Sequence, residues 1–220
     1  MKRSFRYLWQ SIWVNLSVLA GFGAVVLAGC LLTGVPKGVD NLFSQYLGMF
    51  PLMSVMILFI LSFAMCTSNL EIAVSYGARR ADFFWALQGA ILVYALGAAV
   101  MSQIAALVPS AMGWENESHF LRLLSFGLES SVAYFLITVA LLGVGCMCGL
   151  LYVRSRLWGI LVMMAFVLFG VTAVVVMLIT ANHGGFGSWS VPVLLGGGLA
   201  VAFAASELVL WRVINRYCVR

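Results

Sequence analysis

Apolar residues in this chain come in long unbroken runs, without the alternation of barrel strands or the half-polar stripe of a water-exposed helix. Runs of about 20 apolar residues match a bilayer core about 30 Å thick at helical rise. Six such runs occur, at Ile12–Leu32, Met49–Thr67, Phe83–Val108, Val132–Tyr152, Leu157–Ala181 and Val191–Trp211. Helices are the economical way to build them, because backbone exposed to lipid must satisfy its N–H and C=O groups within its own segment. The pattern predicts an all-α integral membrane protein: one domain over residues 1–220, built of six transmembrane helices.

Composition agrees with that solvent. Hydrophobic residues make up 64% of the 220 positions and charged residues only 9%, against roughly a quarter charged in soluble domains. The few charges are unevenly placed. Lys2, Arg3, Arg6, Arg79, Arg80, Arg154, Arg156, Arg212, Arg216 and Arg220 fall on one side of the predicted spans, and only Lys37 and Arg122 on the other. Because short cytoplasmic loops hold the excess of Lys and Arg, both termini are expected inside. The net charge of +5 then reports topology and attraction to anionic lipid; no basic patch suits nucleic acid, and no nucleic-acid partner is expected.

Two local patterns invite other readings. Lys2, Arg3 and Arg6 precede an apolar run as in a secretory signal, and Leu27-Ala28-Gly29-Cys30 resembles a lipoprotein cleavage site. The residues after Cys30 include Leu31 and Leu32 rather than a polar tether, so the segment is read as a retained span. Cys30, Cys66, Cys146, Cys148 and Cys218 show no zinc-site spacing and read as small packing residues. Cys146 and Cys148, two apart on a helix, point in different directions.

The outward loops, Thr33–Gly48, Pro109–Ser131 and Asn182–Ser190, are too short for a folded domain. Within the second, His119–Phe126 could lie flat at the interface, and the sequon Asn116-Glu117-Ser118 is expected to be idle. Inside, Arg154 and Arg156 define a very short turn. The stretch Ser68–Asp82 has room for a distinct element: Ser68 or Asn69 can cap a helix that carries Leu70, Ala73 and Val74 on one side. Gly77 supplies its stop, Arg79 and Arg80 sit at headgroup level, and Asp82 suits the N-terminus of the third span. A short helix lying across the cytoplasmic membrane face is the expectation. Gly143, Gly145 and Gly149, and Gly196, Gly197 and Gly198, place small residues within spans; Gly145 and Gly149 have the spacing that lets helices approach closely, here read as internal packing.

Catalytic chemistry is thin. The spans hold almost no titratable groups, although a membrane enzyme needs them at depth. Glu207 lies about one turn from the cytoplasmic end of the sixth span, within reach of Arg212 or water, and Glu129 at the outer edge of the fourth. His119 and His183 are both in outward loops, with no HExxH helix. Gly185-Phe186-Gly187-Ser188 faintly resembles an intramembrane serine protease, but no histidine follows in a later span. Lys2 and Lys37 stand in no P-loop. The chain is therefore not expected to be an enzyme by itself, nor to bind a cofactor or metal, and any ATP must be handled by a partner.

Glu71-Ile72-Ala73-Val74-Ser75-Tyr76-Gly77-Ala78-Arg79-Arg80-Ala81-Asp82-Phe83-Phe84 resembles a segment of the permease subunits of bacterial ATP-binding-cassette (ABC) transporters of the type-2 exporter class, with Ser75, Gly77, Ala78, Arg79, Arg80 and Phe83 matching. That class also has about six spans, both termini inside and a basic amphipathic segment before the first span, here Lys2–Gln10. The resemblance implies that Ser68–Tyr76 is a coupling helix, with Ser68, Leu70, Glu71, Ala73, Val74, Tyr76, Gly77, Arg79 and Arg80 at the interface with a cytoplasmic ABC ATPase. Two copies of that ATPase, holding ATP and Mg, and a second permease copy or related permease are implied as partners, in the bacterial inner membrane. One departure stands out: Asn182–Ser190 is short and Gly-rich where the class often has a re-entrant helical segment. The expected activity is export of a hydrophobic or amphipathic substrate (a peptide, lipid-like molecule or drug) by alternating access, along a path lined by Asn15, Gln88, Tyr94 and Gln103. An ion-coupled secondary carrier, or a nontransporting scaffold or sensor subunit, are the other readings.

Overall fold

The computed structural model describes residues 2–33, 42–75, 79–111, 128–182 and 190–216, and all of its elements there are helices. They are α1 (Lys2–Thr33), α2 (Leu42–Ser75), α3 (Arg80–Ala111), α4 (Leu128–Arg154), α5 (Arg156–Asn182) and α6 (Ser190–Arg216). Five contain stretches long and apolar enough to cross a membrane: Leu8–Leu32, Met49–Thr67, Arg80–Ala105, Ser131–Arg154 and Gly197–Ile214. In α5 the corresponding described stretch is shorter, Arg156–Leu168. By length and composition this is a multi-pass membrane architecture.

Helix α4 is the hub. It packs on α2, α3, α5 and α6, while α1 covers the outer side of α2 and α3, and α6 also reaches α3. Contacts between α2 and α4 are the closest because α4 presents glycines there. A Cβ on Gly149 would stand 2.5 Å from the Phe63 carbonyl oxygen, and one on Gly145 would meet Ser62 and come within 3.0 Å of the Phe59 carbonyl oxygen. Gly145 thus sits over Phe59 and Ser62, and Gly149 over Phe63 and Cys66, so the two helices advance in the same direction. The small-residue pair serves packing inside the chain.

Helix α3 shows the division of faces. Phe83, Leu87, Ala90, Ile91, Tyr94, Ala98 and Ala105 are buried, whereas Trp85, Leu92, Leu96, Val100, Ile104 and Leu107 are exposed. Both sets repeat at helical period, so one face of α3 packs in the bundle and the other, equally apolar, faces outward. Trp85, Trp158 and Trp211 lie within about a turn and a half of Arg80, Arg156 and Arg212 along their own helices, the residue types that line a membrane interface. Phe84 ties two of these tryptophans together, 5.6 Å from Trp85 and 5.1 Å from Trp211 between ring centroids.

Two boundaries differ from the sequence expectation, while the very short turn at Arg154 and Arg156 is found as expected. The basic segment Lys2–Gln10 is continuous with α1. The turn between α4 and α5 is the single residue Ser155, closed by hydrogen bonds from its N–H to Leu151 O and from Gly159 N–H to Ser155 O. Gly159 is required there, since a side chain would run into the Tyr152 backbone. The other difference is the short helix expected over Ser68–Tyr76: α2 runs on through Ser75 without a break. No Gly or Pro lies between Pro51 and Gly77 to stop it, and the potential caps at Ser68 and Asn69 are taken up in the helix interior. Tyr76, Gly77 and Ala78 lie outside the described residues.

Candidate functional site

The polar side chains inside the bundle fall at the seams between helices. Near one end Pro51 interrupts the hydrogen-bond ladder of α2, and its carbonyl oxygen accepts from Ser54 Oγ at 2.8 Å and from the Tyr134 hydroxyl at 3.0 Å. Ser54 Oγ and Tyr134 OH are 2.8 Å apart, and Ser102 Oγ donates to the same hydroxyl at 3.2 Å. One tyrosine on α4 therefore joins α2 and α3 beside the proline, through a carbonyl oxygen whose lone pairs take side-chain donors. Ser54, Ser102, Tyr134 and Thr138 are all buried. Sequence reasoning did not single out this group; Ser and Tyr at isolated positions in apolar spans were its only trace.

The four residues expected to line a path are placed at three separate seams. Asn15 on α1 donates to the Tyr94 hydroxyl on α3 at 2.7 Å. Gln103 on α3 donates to Ser131 Oγ on α4 at 2.7 Å. Gln88, on the same α3, donates through Nε2 to Glu207 Oε2 on α6. Only Asn15 and Tyr94 are brought together; Gln88 and Gln103 are about 22 Å apart along the helix axis. The four do not form one column. Each fastens α3 to a different neighbour.

Glu207 consequently meets Gln88, where the sequence offered Arg212 or water as its partner. Its second oxygen, Oε1, is closed off from solvent and has no hydrogen-bond partner. Near this seam Ser206 donates to its own helix at Phe203 O, 2.7 Å, and the Cys146 thiol points to Ser62 O at 3.6 Å. Cys66, on α2, lies within electrostatic reach of both Cys146 and Glu207. Cys30, Cys66, Cys146 and Cys148 are buried free thiols; Cys146 joins the main core and Cys148 the smaller cluster with Phe59 and Val144, on different sides of α4. Among the described residues no three His, Cys, Asp or Glu side chains stand together as metal ligands.

The remaining expected interface residues cluster at the joint of α2 and α3. Leu70 is fully buried in the main core, so it packs within the chain and is not offered to a partner. Ser68, Glu71, Ala73 and Val74 lie on α2, with side chains outside the described residues, as are Tyr76 and Gly77 altogether. Arg79 is exposed, and its carbonyl accepts from Phe83 N–H at 3.0 Å as α3 begins; Arg80 is half-buried. His119, His183 and the segment around Asn116 are also outside the described residues. Comparison with protein-family models, curated proteins and solved structures finds no match to this chain.

Proposed function

We propose that this chain is the membrane-spanning permease subunit of an ATP-driven ABC transporter, set in the bacterial cytoplasmic membrane with six spans and both termini inside. The observation that carries the reading is the far end of α2. The uncharged apolar run of the sequence ends at Thr67, with Ser68, Asn69 and Glu71 following, and the helix continues through Ser75, about 12 Å further along its axis. It then joins α3 within a few residues that include Arg79, on the side where α4 ends at Arg154, α5 begins at Arg156 and α6 ends at Arg216.

A rigid helix end clear of hydrocarbon is a lever: a partner that pushes on the joint displaces α2 and α3 together. With Leu70 turned inward, the contact falls to the opposite side of α2 and to Arg79. Two copies of a cytoplasmic ATPase would bind ATP and Mg, and a second permease would complete the path. The cargo is hydrophobic or amphipathic, since the interior offers hydroxyls and amides and one carboxylate. The pairs Asn15–Tyr94, Gln88–Glu207 and Gln103–Ser131 are seams that can part and close again, because hydrogen bonds within membranes are worth only about 0.6 kcal/mol on average.

The test is affinity purification of the full chain from its native membrane in mild detergent. An ABC-type ATPase is expected to copurify and to be lost from Arg79→Glu at matched expression; a chain that brings down no ATPase contradicts the proposal. A second reading, an ion-coupled carrier, draws on Glu207, a carboxylate within a span. It predicts transport that survives without ATP and stops when the ion gradient is collapsed.

A further inference from the structure

A carboxylate closed inside an apolar bundle requires a cation, a set of donors or a proton. Glu207 has one donor, Gln88 Nε2, and this serves Oε2 alone. Oε1 has neither solvent nor a hydrogen-bond partner. The charged residues of the adjoining helix ends are Asp82 and Arg80, about 9 and 12 Å along α3 from Gln88, and Arg212, about 8 Å along α6 from Glu207. Among the described side chains, α2 brings the Cys66 thiol within electrostatic reach of Glu207, with Cys146 of α4 beside Cys66; α4 also carries Cys148, Tyr152 and Arg154 toward the same end.

We propose that Glu207 is a proton-binding site at the seam of α3 and α6, with the proton carried on Oε1. The closure of Oε1 selects the ligand: a hydrated metal ion or an amine has no room beside an atom without exposed surface, whereas a proton needs none. The arrangement at Oε2 fits the same state, since the carbonyl oxygen of a neutral acid accepts an N–H as Gln88 supplies it. A neutral hydroxyl without an acceptor costs far less than an uncompensated buried charge. Exchange of the proton then requires Oε1 to be uncovered, by turning of the half-buried Glu207 side chain or by parting of α3 and α6, which ties the occupancy of this site to the conformation of the seam. The inference rests on neither transport reading, and ATPase copurification leaves it untouched.

Infrared difference spectroscopy of the full chain in lipid nanodiscs tests it. At neutral pH the intact protein should show the C=O stretch of a protonated carboxylic acid. That band should vanish in Glu207→Gln, which keeps the shape of the side chain, and shift in Gln88→Leu, which removes the hydrogen bond to the carbonyl oxygen. An acid band unchanged in Glu207→Gln, or carboxylate bands lost in its place, overturns the proposal. If Glu207→Gln fails to fold, Gln88→Leu decides: a shifted acid band supports the site, and an unshifted or absent one overturns it.

Discussion

At the scale of single residues, Tyr134 illustrates how hydroxyls hold helices together where water is absent. Its oxygen joins Pro51 O and Ser54 of α2 and Ser102 of α3 to α4 at 2.8 to 3.2 Å. Tyr134→Phe should therefore lower stability by about 0.6 to 1.7 kcal/mol, the span of interhelical hydrogen bonds measured in membranes. Reversible unfolding in mixed micelles reads this, and an unchanged midpoint would show that Ser54 and Ser102 find other partners. Glycines give a sharper contrast. Gly149→Ala places a methyl 2.5 Å from a backbone oxygen, while Gly197→Ala meets nothing within 4 Å. The first should cost roughly 1 to 3 kcal/mol through overpacking, and the second should match or exceed the parent in the same unfolding assay.

At the scale of elements, helix existence was legible in the sequence because continuous apolar runs admit few other folds, whereas helix ends were not. Ser68 and Asn69 have the chemistry of caps, yet nothing upstream breaks α2, so tertiary packing of Leu70 carries the helix past them. The same burial separates two kinds of substitution at this joint. Leu70→Asp puts a charge into the core and should abolish a monodisperse peak in size-exclusion chromatography, while Arg79→Glu, on an exposed position, should leave it intact. Equal behaviour of the two would mean that α2 does not pack as described. Partnerships were the least legible feature. Gln88 and Glu207 are 119 positions apart, and no local spacing links them; Asn15 and Gln103 were visible as polar residues in spans, but which helix each would face depends on how the bundle closes.

At the scale of the whole molecule, alternation of basic and sparsely charged connections predicts the sidedness of the bundle. Arg79→Cys, placed in a chain with Cys218→Ser, should react with a membrane-impermeant maleimide in inverted vesicles and stay unlabelled in intact cells; the opposite pattern would reverse the topology. The native thiols Cys30, Cys66, Cys146 and Cys148 are buried and should contribute little background. The one measurement that bears most directly on the central functional proposal is the ATP hydrolysis rate of the purified complex in lipid, compared between the intact chain and one with Arg79→Glu at the joint of α2 and α3. The account predicts hydrolysis that travels with the intact chain and falls severalfold when the joint is altered. Hydrolysis absent from the intact complex, or indifferent to the joint, would contradict it.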